Sequence, residues 1–556
     1  MMISTSKLRF AMTSLVLSAG LTGASLFTMG AGANAASSMG TVPLVLGVQD
    51  GSPGYTENFN PFSPNQLFGY MYMYEPLYVV NSLNGTQTPW LATSYKWLTN
   101  KQLQFTIRSG VKWSDGTPLT AKDVAFTFNL LHKYPALDLN SVWSSLSRVA
   151  AAGNKVTFYF KAPDVPDWYF VASTPIVQAK QWSAVKNPVT FTNPHPVGTG
   201  PYTLQFFKPT EYMLKANPRY WQASKIHVPQ LEYLALEGNQ TSDLMLSEGK
   251  FDESVLFTPN IQRTYVNVNP KYYHYWFPLS APITLRMNLT KYPFNHVQFR
   301  MAMAYGINKE TLYKQGEYGY EPPANQSLLA PSQQKQWLDT ALQKKYPYNY
   351  DPQKAAALLK QMGLKKNSQG LLVDPNGKPL TINLEVPTGW TDWIQCCQII
   401  KSNLAQLGIT VNVQTPSVAT DMNNMFTGNF DMAFMYESTY ADPWFVYDQV
   451  LASNESAPIG KVAAANYERW INHPTDVLLS QYEQTTNMAK KHQIINQLQK
   501  IMYTQLPVVN LMYGAAWNEY QTNHYVGWPT AKNPYAMPSN SYPDNLLIIT
   551  HLKPAQ

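Results

Sequence analysis

The chain has 556 residues, of which 45% are apolar and 13% are charged. This length is too great for a single hydrophobic core, so two or three domains are expected, and 36 Tyr, 23 Phe and 15 Trp exclude general disorder. The net charge of +7 is spread without a Lys/Arg-rich run, which argues against a nucleic acid as partner. Such sparse charge leads to the hypothesis that the protein works in an acidic medium. In acid, a protein rich in charged residues has its carboxylates protonated and is left with a large positive charge that repels itself, whereas a protein with few charged residues avoids this.

The N-terminus has the pattern of an export signal. Lys7 and Arg9 precede a mostly apolar stretch at 10–29, and Ala33-Asn34-Ala35 has the small-x-small pattern that signal peptidase reads. The alternative is a transmembrane anchor, but Gly, Ser and Thr dilute the apolar stretch. We therefore expect a signal peptide at 1–35. The mature protein would then be exported, soluble, and periplasmic or located at the extracellular cell surface.

The most specific local pattern spans residues 103–129. Alternation of apolar and polar residues from Leu103 to Ile107 predicts a half-buried strand. Two Gly-containing turns follow. Thr120 and Asp123 then form an Asp version of the capping box, which predicts the start of a helix.

Strand-like and helix-like segments alternate along the rest of the chain. We predict a strand at Tyr202–Phe206, a helix through Val297 and Tyr305, a second helix capped by Asn308, a helix begun by Asp351-Pro352, a strand at Thr381–Val386, a helix at Trp393–Leu407, and strands at Gly408–Val413, Phe430–Met435 and Pro507–Met512. The segment 381–413 is then a β-α-β unit. This intermixing indicates α/β domains.

The sequence contains two cysteines, Cys396 and Cys397, and they are adjacent. Neighbouring cysteines rarely form a disulfide because the peptide between them is strained. We interpret them as buried thiols on an amphipathic helix rather than as a redox or metal site.

Motifs for catalysis are missing from the sequence. It has no G-x-S-x-G elbow, H-E-x-x-H helix, C-x-x-C pair or phosphate-binding G-x-x-x-x-G-K-[ST] loop. Its nine His residues are scattered, as lone surface or core residues usually are. The sequence therefore predicts a protein that is not an enzyme and needs no cofactor.

Eight segments spread over the mature chain carry a resemblance to a known family. They are FTIRSGVKWSDGTPLTAKDVAFTFN from Phe105, GTGPY from Gly198, NPRYW from Asn217, SEGKFD from Ser247, PFNHVQFRMAMAYGINKE from Pro293, YDPQKAAALLKQMG from Tyr350, FDMAF from Phe430 and LPVVNLMYG from Leu506. The chain resembles extracellular solute-binding proteins of family 5, the receptors that feed peptide, nickel and oligosaccharide ABC transporters.

The resemblance implies an α/β, two-lobed periplasmic-binding-protein-like fold of class II type, with an extra inserted α/β domain in the first lobe. The implied boundaries are 36–75, 195–282 and 507–556 for three segments of the first lobe, 76–194 for the inserted domain, and 283–506 for the second lobe.

The implied function is the substrate-binding subunit of an ABC importer. As a monomer, it would capture an oligopeptide-class solute and deliver it to a membrane permease. The alternative ligand is an oligosaccharide. A nickel ion or metal chelate is less favoured because no His cluster is apparent, and a secreted hydrolase acting on sugars or peptides is the rival from another class.

One position departs from the peptide-binding members of the family. In those members an Asp a few residues after the strand that corresponds to Phe430–Met435 pairs with the peptide ammonium. Here that position falls on Thr439 or Tyr440, depending on the residues used to align the segment, and neither is acidic. Glu437 is a nearby acid that could substitute for it. This departure weakens the peptide interpretation.

Three aromatic-rich segments resemble the oligosaccharide-binding branch instead. They are Tyr273–Pro278, Pro387–Trp393, and the ending that contains Trp517–Tyr520 and Gly527–Pro529. Sugars require flat aromatic faces together with amide and carboxylate partners for their hydroxyls. Core packing is the alternative role for each aromatic residue. The candidate ligand-binding residues are Phe68, Tyr70, Trp390, Trp393, Tyr436, Glu437, Thr439, Tyr440, Trp444 and Trp517.

Overall fold

The structure is a computed structural model that describes residues 42–47, 54–235, 238–438, 440–540 and 542–556. The predicted signal peptide, 1–35, and the candidate residue Thr439 lie outside the described residues. Two compact units divide the chain. The central unit comprises Leu279–Ala515 together with Pro163–Pro166, and the flanking unit comprises the described parts of 42–162, 167–278 and 516–556.

A mixed seven-stranded sheet forms the largest layer of the flanking unit. In spatial order its strands are Tyr273–Tyr275, Glu519–Gln521, Glu253–Ser254, Leu44–Gly47, Gln230–Leu234, Glu211–Ala216 and Tyr202–Lys208. The strand Leu44–Gly47 runs parallel to both of its neighbours, and the remaining pairs are antiparallel. Segments from both ends of the chain therefore build one sheet.

A separate antiparallel sheet in the flanking unit has the strand order Ala92–Thr99, Gln102–Ile107, Lys155–Phe160 and Leu146–Ala152. The strand and helix predicted within 103–129 are confirmed here. The helix is Ala121–Lys133, and the Thr120 backbone N–H donates to Asp123 Oδ2 at 2.9 Å, as the capping box requires. The helix buries Val124 and Phe128 against this sheet.

The remaining elements of the flanking unit are short. Two-stranded pairs join Tyr78–Val80 with Gln87–Pro89 and Tyr525–Val526 with Lys553–Pro554. The α-helices besides Ala121–Lys133 are Val142–Ser145, Trp168–Ser173, Ala179–Ser183, Gly238–Ser247, Ile261–Thr264 and Asn545–Ile549. The 3₁₀ turns are Phe68–Tyr72, Pro135–Leu137, Ala223–Lys225 and Val266–Val268.

The Gly-Thr-Gly turn at 198–200 is a site of close backbone packing. Gly200 N–H donates to the Met73 carbonyl at 2.9 Å. A Cβ built on Gly198 would lie 1.8 Å from that same carbonyl oxygen. Glycine is required there because no side chain fits, and this explains a motif that the sequence reveals only as a turn.

The central unit contains a five-stranded sheet in the order Thr410–Gln414, Thr381–Glu385, Met432–Tyr436, Leu279–Met287 and Val509–Ala515. The first three strands are parallel, and Leu279–Met287 pairs antiparallel with both of its neighbours, Met432–Tyr436 and Val509–Ala515. Strands Thr381–Glu385 and Thr410–Gln414 flank the helix Thr391–Leu407, so the predicted β-α-β unit is confirmed. Gly408 ends this helix with φ = 90°, a conformation that favours glycine.

Helices make up a large part of the central unit outside this sheet. Its α-helices are Val297–Gly306, Lys309–Thr311, Thr340–Lys345, Pro352–Gln361, Thr391–Leu407, Val418–Thr427, Trp444–Leu451, His473–Glu483 and Met488–Gln505. Short turns occupy Leu312–Gly316 (π), Lys335–Trp337 and Ser453–Glu455 (3₁₀), and Lys365–Lys366 pairs with Leu372–Val373. The predicted caps are confirmed: the side chains of Asn308 and Asp351 accept from the backbone N–H groups of Thr311 and Lys354.

The bounds of the central unit differ from the expected 283–506. The unit extends from Leu279 to Ala515 because the strands Leu279–Met287 and Val509–Ala515 pair with each other and complete its sheet. The strand predicted at Pro507–Met512 therefore groups with the central unit rather than with 516–556.

Both cysteines are free and fully buried in the core of the central unit. They lie on the helix Thr391–Leu407, whose apolar face packs with Ile400 and Leu404 into the same core. Burial raises the pKa of both thiols well above the usual value. The interpretation as buried thiols on a helix is confirmed.

Candidate ligand-binding site

Tyr436 ends the strand Met432–Tyr436, and its ring is half-buried against the core of the central unit. The strand Val509–Ala515, two positions away in the same sheet, makes room for this ring at Gly514. A Cβ built on Gly514 would lie 2.3 Å from Tyr436 Cε2. Because the φ of Gly514 is not in the left-handed region, the close approach of the ring is what requires glycine.

Glu437 follows Tyr436 and is 1% exposed. Its two carboxylate oxygens accept hydrogen bonds from Arg286 Nη2 at 2.9 and 2.7 Å, and Oε1 also accepts from Thr284 Oγ1 at 2.6 Å. The sequence suggested Glu437 as a substitute for an ammonium-binding acid. The structure instead engages its carboxylate with a cation of the same unit, so this carboxylate is not available to a ligand.

Arg286 connects Glu437 with a second buried acid, because its Nη1 donates to Glu468. Burial opposes the charge of Arg286, but the two carboxylates outweigh burial and raise its pKa. Burial also raises the pKa of Glu468 to about 7, although Arg286 opposes the rise. We call Arg286, Glu437 and Glu468 the arginine hub.

Asp442 is the other acid in the segment 436–444, and it is also engaged. Its Oδ1 accepts from the Tyr482 hydroxyl at 2.8 Å and from the backbone N–H of Trp444 at 3.0 Å. Its Oδ2 lies 3.4 Å from Nζ of Lys491, which is 6% exposed. Both acids of the segment are thus balanced by cations within the central unit.

Trp390 and Trp393 lie at the start of the helix Thr391–Leu407, with ring centroids 4.8 Å apart. Trp393 is 7% exposed and packs on Phe434 at 5.5 Å. Trp390 is half-buried and packs on the same core, as Tyr436 does. The central unit thus gathers Trp390, Trp393 and Tyr436 at one core. Trp390 presents the more accessible ring, and Trp393 supports it.

The rings of Tyr440 and Trp444 both pack on Phe445, with ring centroids 4.9 and 5.2 Å from it. Tyr440 is half-buried, and its backbone carbonyl accepts from the Gln334 amide at 2.9 Å. Trp444 is 1% exposed, and its indole N–H donates to the Leu479 carbonyl at 3.1 Å. We therefore assign Trp444 to packing beneath the site rather than to ligand contact.

The flanking unit holds the remaining candidates. Phe68 and Tyr70 are half-buried on the 3₁₀ turn Phe68–Tyr72, and burial raises the pKa of the Tyr70 hydroxyl. The backbone N–H of Gly69, between them, donates to the Tyr212 hydroxyl at 3.1 Å. Trp517 is half-buried, and its ring meets Phe277 edge-on with centroids 4.9 Å apart.

Two residues that shape this site are not among those predicted from the sequence. Arg286 lies within the apolar strand Leu279–Met287, and a charged residue in a buried strand signals a buried partner. That signal could have predicted an ion pair, although not with which acid. Gly514 has no comparable local signal, since its role depends on Tyr436.

Among the residues that the structure describes, no three or more His, Cys, Asp and Glu side chains are grouped so that they could hold a metal ion. No helix in this described part of the chain is both long enough and apolar enough to cross a membrane.

Comparisons with known proteins agree with this architecture. The family model "Bacterial extracellular solute-binding proteins, family 5 Middle" matches residues 86–458, which is more than half of the chain. The nickel-binding periplasmic protein of Escherichia coli (strain K12) is 27% identical over 396 residues, covering 67% of this chain and 71% of that protein. The dipeptide-binding protein of the same strain is 25% identical over 504 residues, covering 82% and 87%.

A solved structure of the periplasmic oligopeptide-binding protein of an oligopeptide ABC transporter from Thermotoga maritima gives a TM-score of 0.85 at 28% identity. The match covers 92% of this chain and 99% of the solved one. The mannohexaose-bound structure of that protein gives 0.78 at 28% identity, covering 92% and 98%. The fold is thus that of a two-lobed periplasmic solute receptor. The chain belongs to the bacterial extracellular solute-binding proteins of family 5.

Proposed function

We propose that the chain is the substrate-binding subunit of an ABC importer, capturing an oligopeptide-class solute outside the membrane and delivering it to the permease. The observation that carries this proposal is the structural match to an oligopeptide-binding protein over nearly the full length of both chains. The relatives are described as periplasmic binding proteins, which supports a location outside the cytoplasmic membrane, in the periplasm or at the cell surface. In this role the protein acts as a monomer, and its partners are the solute and the permease.

A second candidate ligand is an oligosaccharide. The segment 436–444 presents the half-buried rings of Tyr436 and Tyr440, while its two acids are balanced by Arg286 and Lys491. A ligand ammonium needs an uncompensated carboxylate, whereas rings and hydroxyls suit a neutral, hydroxyl-rich chain. The mannohexaose-bound neighbour supports the same alternative.

Thermal-shift screening separates the two candidates. The panel contains di- to pentapeptides and manno-, cello-, xylo- and malto-oligosaccharides. A ligand at 100 times its Kd stabilises the folded state by about 2.7 kcal/mol, so a true ligand should raise the Tm by several degrees. Stabilisation by peptides alone supports the first candidate, and stabilisation by oligosaccharides alone supports the second. The absence of any shift across the panel would contradict both.

A matched pair of peptides tests the role of the balanced acids. We expect N-acetylation of a binding peptide to change its Kd by less than about threefold, because no free carboxylate of the segment 436–444 pairs with its ammonium. A loss of affinity of a hundredfold or more on acetylation would show that an acid elsewhere binds the ammonium.

Recovery of the ligand intact after incubation counts against the hydrolase alternative.

Replacing Gly514 by alanine should weaken solute binding about tenfold or more, equivalent to about 1.4 kcal/mol. The added methyl would meet the Tyr436 ring at 2.3 Å and force the ring to move. The measurement is the Kd of a ligand from the screen, by titration calorimetry. Gly460→Ala is the control for the general cost of a new methyl: its Cβ meets nothing within 4 Å, and its φ of +82° adds a conformational cost that does not involve the Tyr436 ring. Unchanged affinity in a folded G514A variant would remove Tyr436 from the ligand-binding set.

A further inference from the structure

Three carboxyl groups of the central unit lie on connected segments, and we call them the acid cluster: Glu317, Glu321 and Asp392. Glu317 and Glu321 are four residues apart, and Glu317 accepts from the thiol of Cys396, which lies one helical turn after Asp392. Glu317 directly follows the turn Leu312–Gly316, and Asp392 lies in the first turn of the helix Thr391–Leu407. Glu317 is fully buried and Glu321 is 3% exposed. None of the three takes part in the proposed contacts with solute.

The two glutamates of the cluster are incompletely hydrogen-bonded. Glu321 Oε1 accepts from the backbone N–H of Ala515 at 2.8 Å, and Glu317 Oε1 accepts from the Cys396 thiol at 3.3 Å. The Oε2 atoms of both glutamates are buried without a hydrogen-bond partner in the described part of the chain. An ionised carboxylate with a bare buried oxygen is costly, whereas a bound proton removes the charge.

The nearest cations along the chain are engaged elsewhere. Lys309 Nζ donates to the Ala324 carbonyl at 3.1 Å, and Lys314 Nζ lies 3.5 Å from Glu310. Each therefore already has a partner outside the cluster.

Among the described interactions, no cation of the elements packed against the cluster contacts it, and Lys401 on the helix Thr391–Leu407 is exposed. The helix Thr391–Leu407 contributes the buried thiols Cys396 and Cys397. The strand Val509–Ala515 contributes the Ala515 N–H and Tyr513, whose hydroxyl accepts from the Asn325 N–H at 3.3 Å. The charges that act on the two glutamates are those of the other acids.

Burial raises the pKa values of all three acids, and repulsion from the other acids adds to the rise at the two glutamates. Burial raises the pKa of Glu317 above its usual range, and the charge of Asp392 adds to the rise. Burial likewise raises the pKa of Glu321, with Glu317 and Asp392 adding to it. Burial raises the pKa of Asp392 as well.

We propose that the acid cluster is a proton-dependent latch in the central unit. In acid, the neutral cluster lets the segment 317–321 connect the end of the strand Val509–Ala515, through Ala515, with the first turns of the helix Thr391–Leu407, through Cys396, next to Trp390 and Trp393. As the pH rises the acids ionise, repel one another, and loosen both segments. The loosening of the tryptophan pair affects solute binding, and that consequence alone rests on the proposed function.

The direction of the pH dependence follows from proton linkage. Because the folded state holds protons on these acids that the unfolded chain releases near pH 4–4.5, the folded state binds more protons above that pH. The stabilisation is fully present below the unfolded pKa values. It declines as the pH rises from there through the raised folded values.

Hydrogen–deuterium exchange of the intact protein tests the latch without a ligand. Rates corrected for intrinsic exchange are measured from pH 5 to pH 8.5 for peptides that cover 388–397 and 509–516. We expect protection in the wild type to fall at least about tenfold across this range as the acids ionise. The Glu317→Gln/Glu321→Gln variant, which mimics the protonated state of both glutamates, should lose much less protection than the wild type; the remaining loss comes from other buried acids of the unit, such as Glu468. The Tm of the double variant should match that of the wild type at pH 5 and exceed it by about 4 °C or more at pH 8.5.

Glu75→Gln is the matched control, since Glu75 is a buried acid of the flanking unit whose pKa burial raises to about 7. This variant should retain the wild-type pH dependence of exchange at 388–397 and 509–516. Protection in the wild type that does not change with pH would overturn the latch. The latch would also fail if the double variant showed the same loss of protection as the wild type.

Discussion

Replacement of Arg286 by methionine should lower the free energy of unfolding of the central unit by about 3–5 kcal/mol. The side chain of Arg286 is 2% exposed and binds the carboxylates of Glu437 and Glu468, whose side chains are 1% and 0% exposed. Its removal leaves two acids buried without their cation, and breaking a buried ion pair on one side costs far more than the pair contributes. Urea unfolding followed by tryptophan fluorescence measures the change.

Two companion variants separate charge from packing. Lys208→Met removes the cation of an exposed pair with Glu211, and it should cost less than about 1 kcal/mol. The second companion is the triple variant Arg286→Met/Glu437→Gln/Glu468→Gln. It should recover part of the lost stability, because the two glutamines remove the uncompensated charges. A loss below about 1 kcal/mol for Arg286→Met alone would contradict the arginine hub as a stabilising element.

The second large effect is expected at Gly198, where alanine should cost about 3 kcal/mol or more. The new methyl would lie 1.8 Å from the Met73 carbonyl oxygen and 2.7 Å from the Met73 carbonyl carbon. Neither is the end of a flexible side chain, so relief requires the backbone to move. The φ of Gly198 lies outside the left-handed region, so the cost comes from contact.

Gly153→Ala provides the comparison for Gly198→Ala. Its φ is +59° and a Cβ there meets nothing within 4 Å, so its cost is conformational, about 1–2 kcal/mol. Thermal and urea unfolding of both variants should therefore rank Gly198→Ala as the more destabilised. The reverse order would show that the 198–200 turn shifts without strain.

The elements that the sequence predicts well are those that depend on near neighbours. The capping box joins Thr120 to Asp123, and the helix cap at Asp351 acts on Lys354, each within a single turn. Such short-range hydrogen bonds can be inferred from spacing alone. The β-α-β unit follows for a similar reason, because each of its elements has its own hydrophobic period.

The features that escaped prediction depend on residues far apart in the chain. Arg286 meets Glu437 across 151 positions and Glu468 across 182. The sequence presents Glu437 as a free acid and leaves Trp444 between core packing and ligand contact, because neither residue type reveals its partner. Long-range packing determines both roles: Glu437 pairs with Arg286, and the ring of Trp444 is buried. Thr439 remains a prediction outside the described residues.

The acidic-medium hypothesis acquires a structural argument that composition does not provide. Burial raises the pKa of Glu75 to about 7, and of Glu253 and Glu519 to about 8. Each acid therefore keeps its proton in the folded state at a pH where the unfolded chain releases it. Stability that depends on them is present below about pH 4.5 and is lost as the pH rises towards the folded values.

The pairing of strands Leu279–Met287 and Val509–Ala515 has a consequence for dissecting the molecule. Leu279 and Ala515, the first and last residues of the central unit's long segment, are register partners. In the flanking unit, the Ala516 N–H donates to the Pro278 carbonyl at 2.9 Å. Apart from the four residues 163–166, the chain leaves and re-enters each unit at one place. Each unit can therefore be excised at 278/279 and 515/516, with a short linker closing the flanking unit, and its folding studied in isolation.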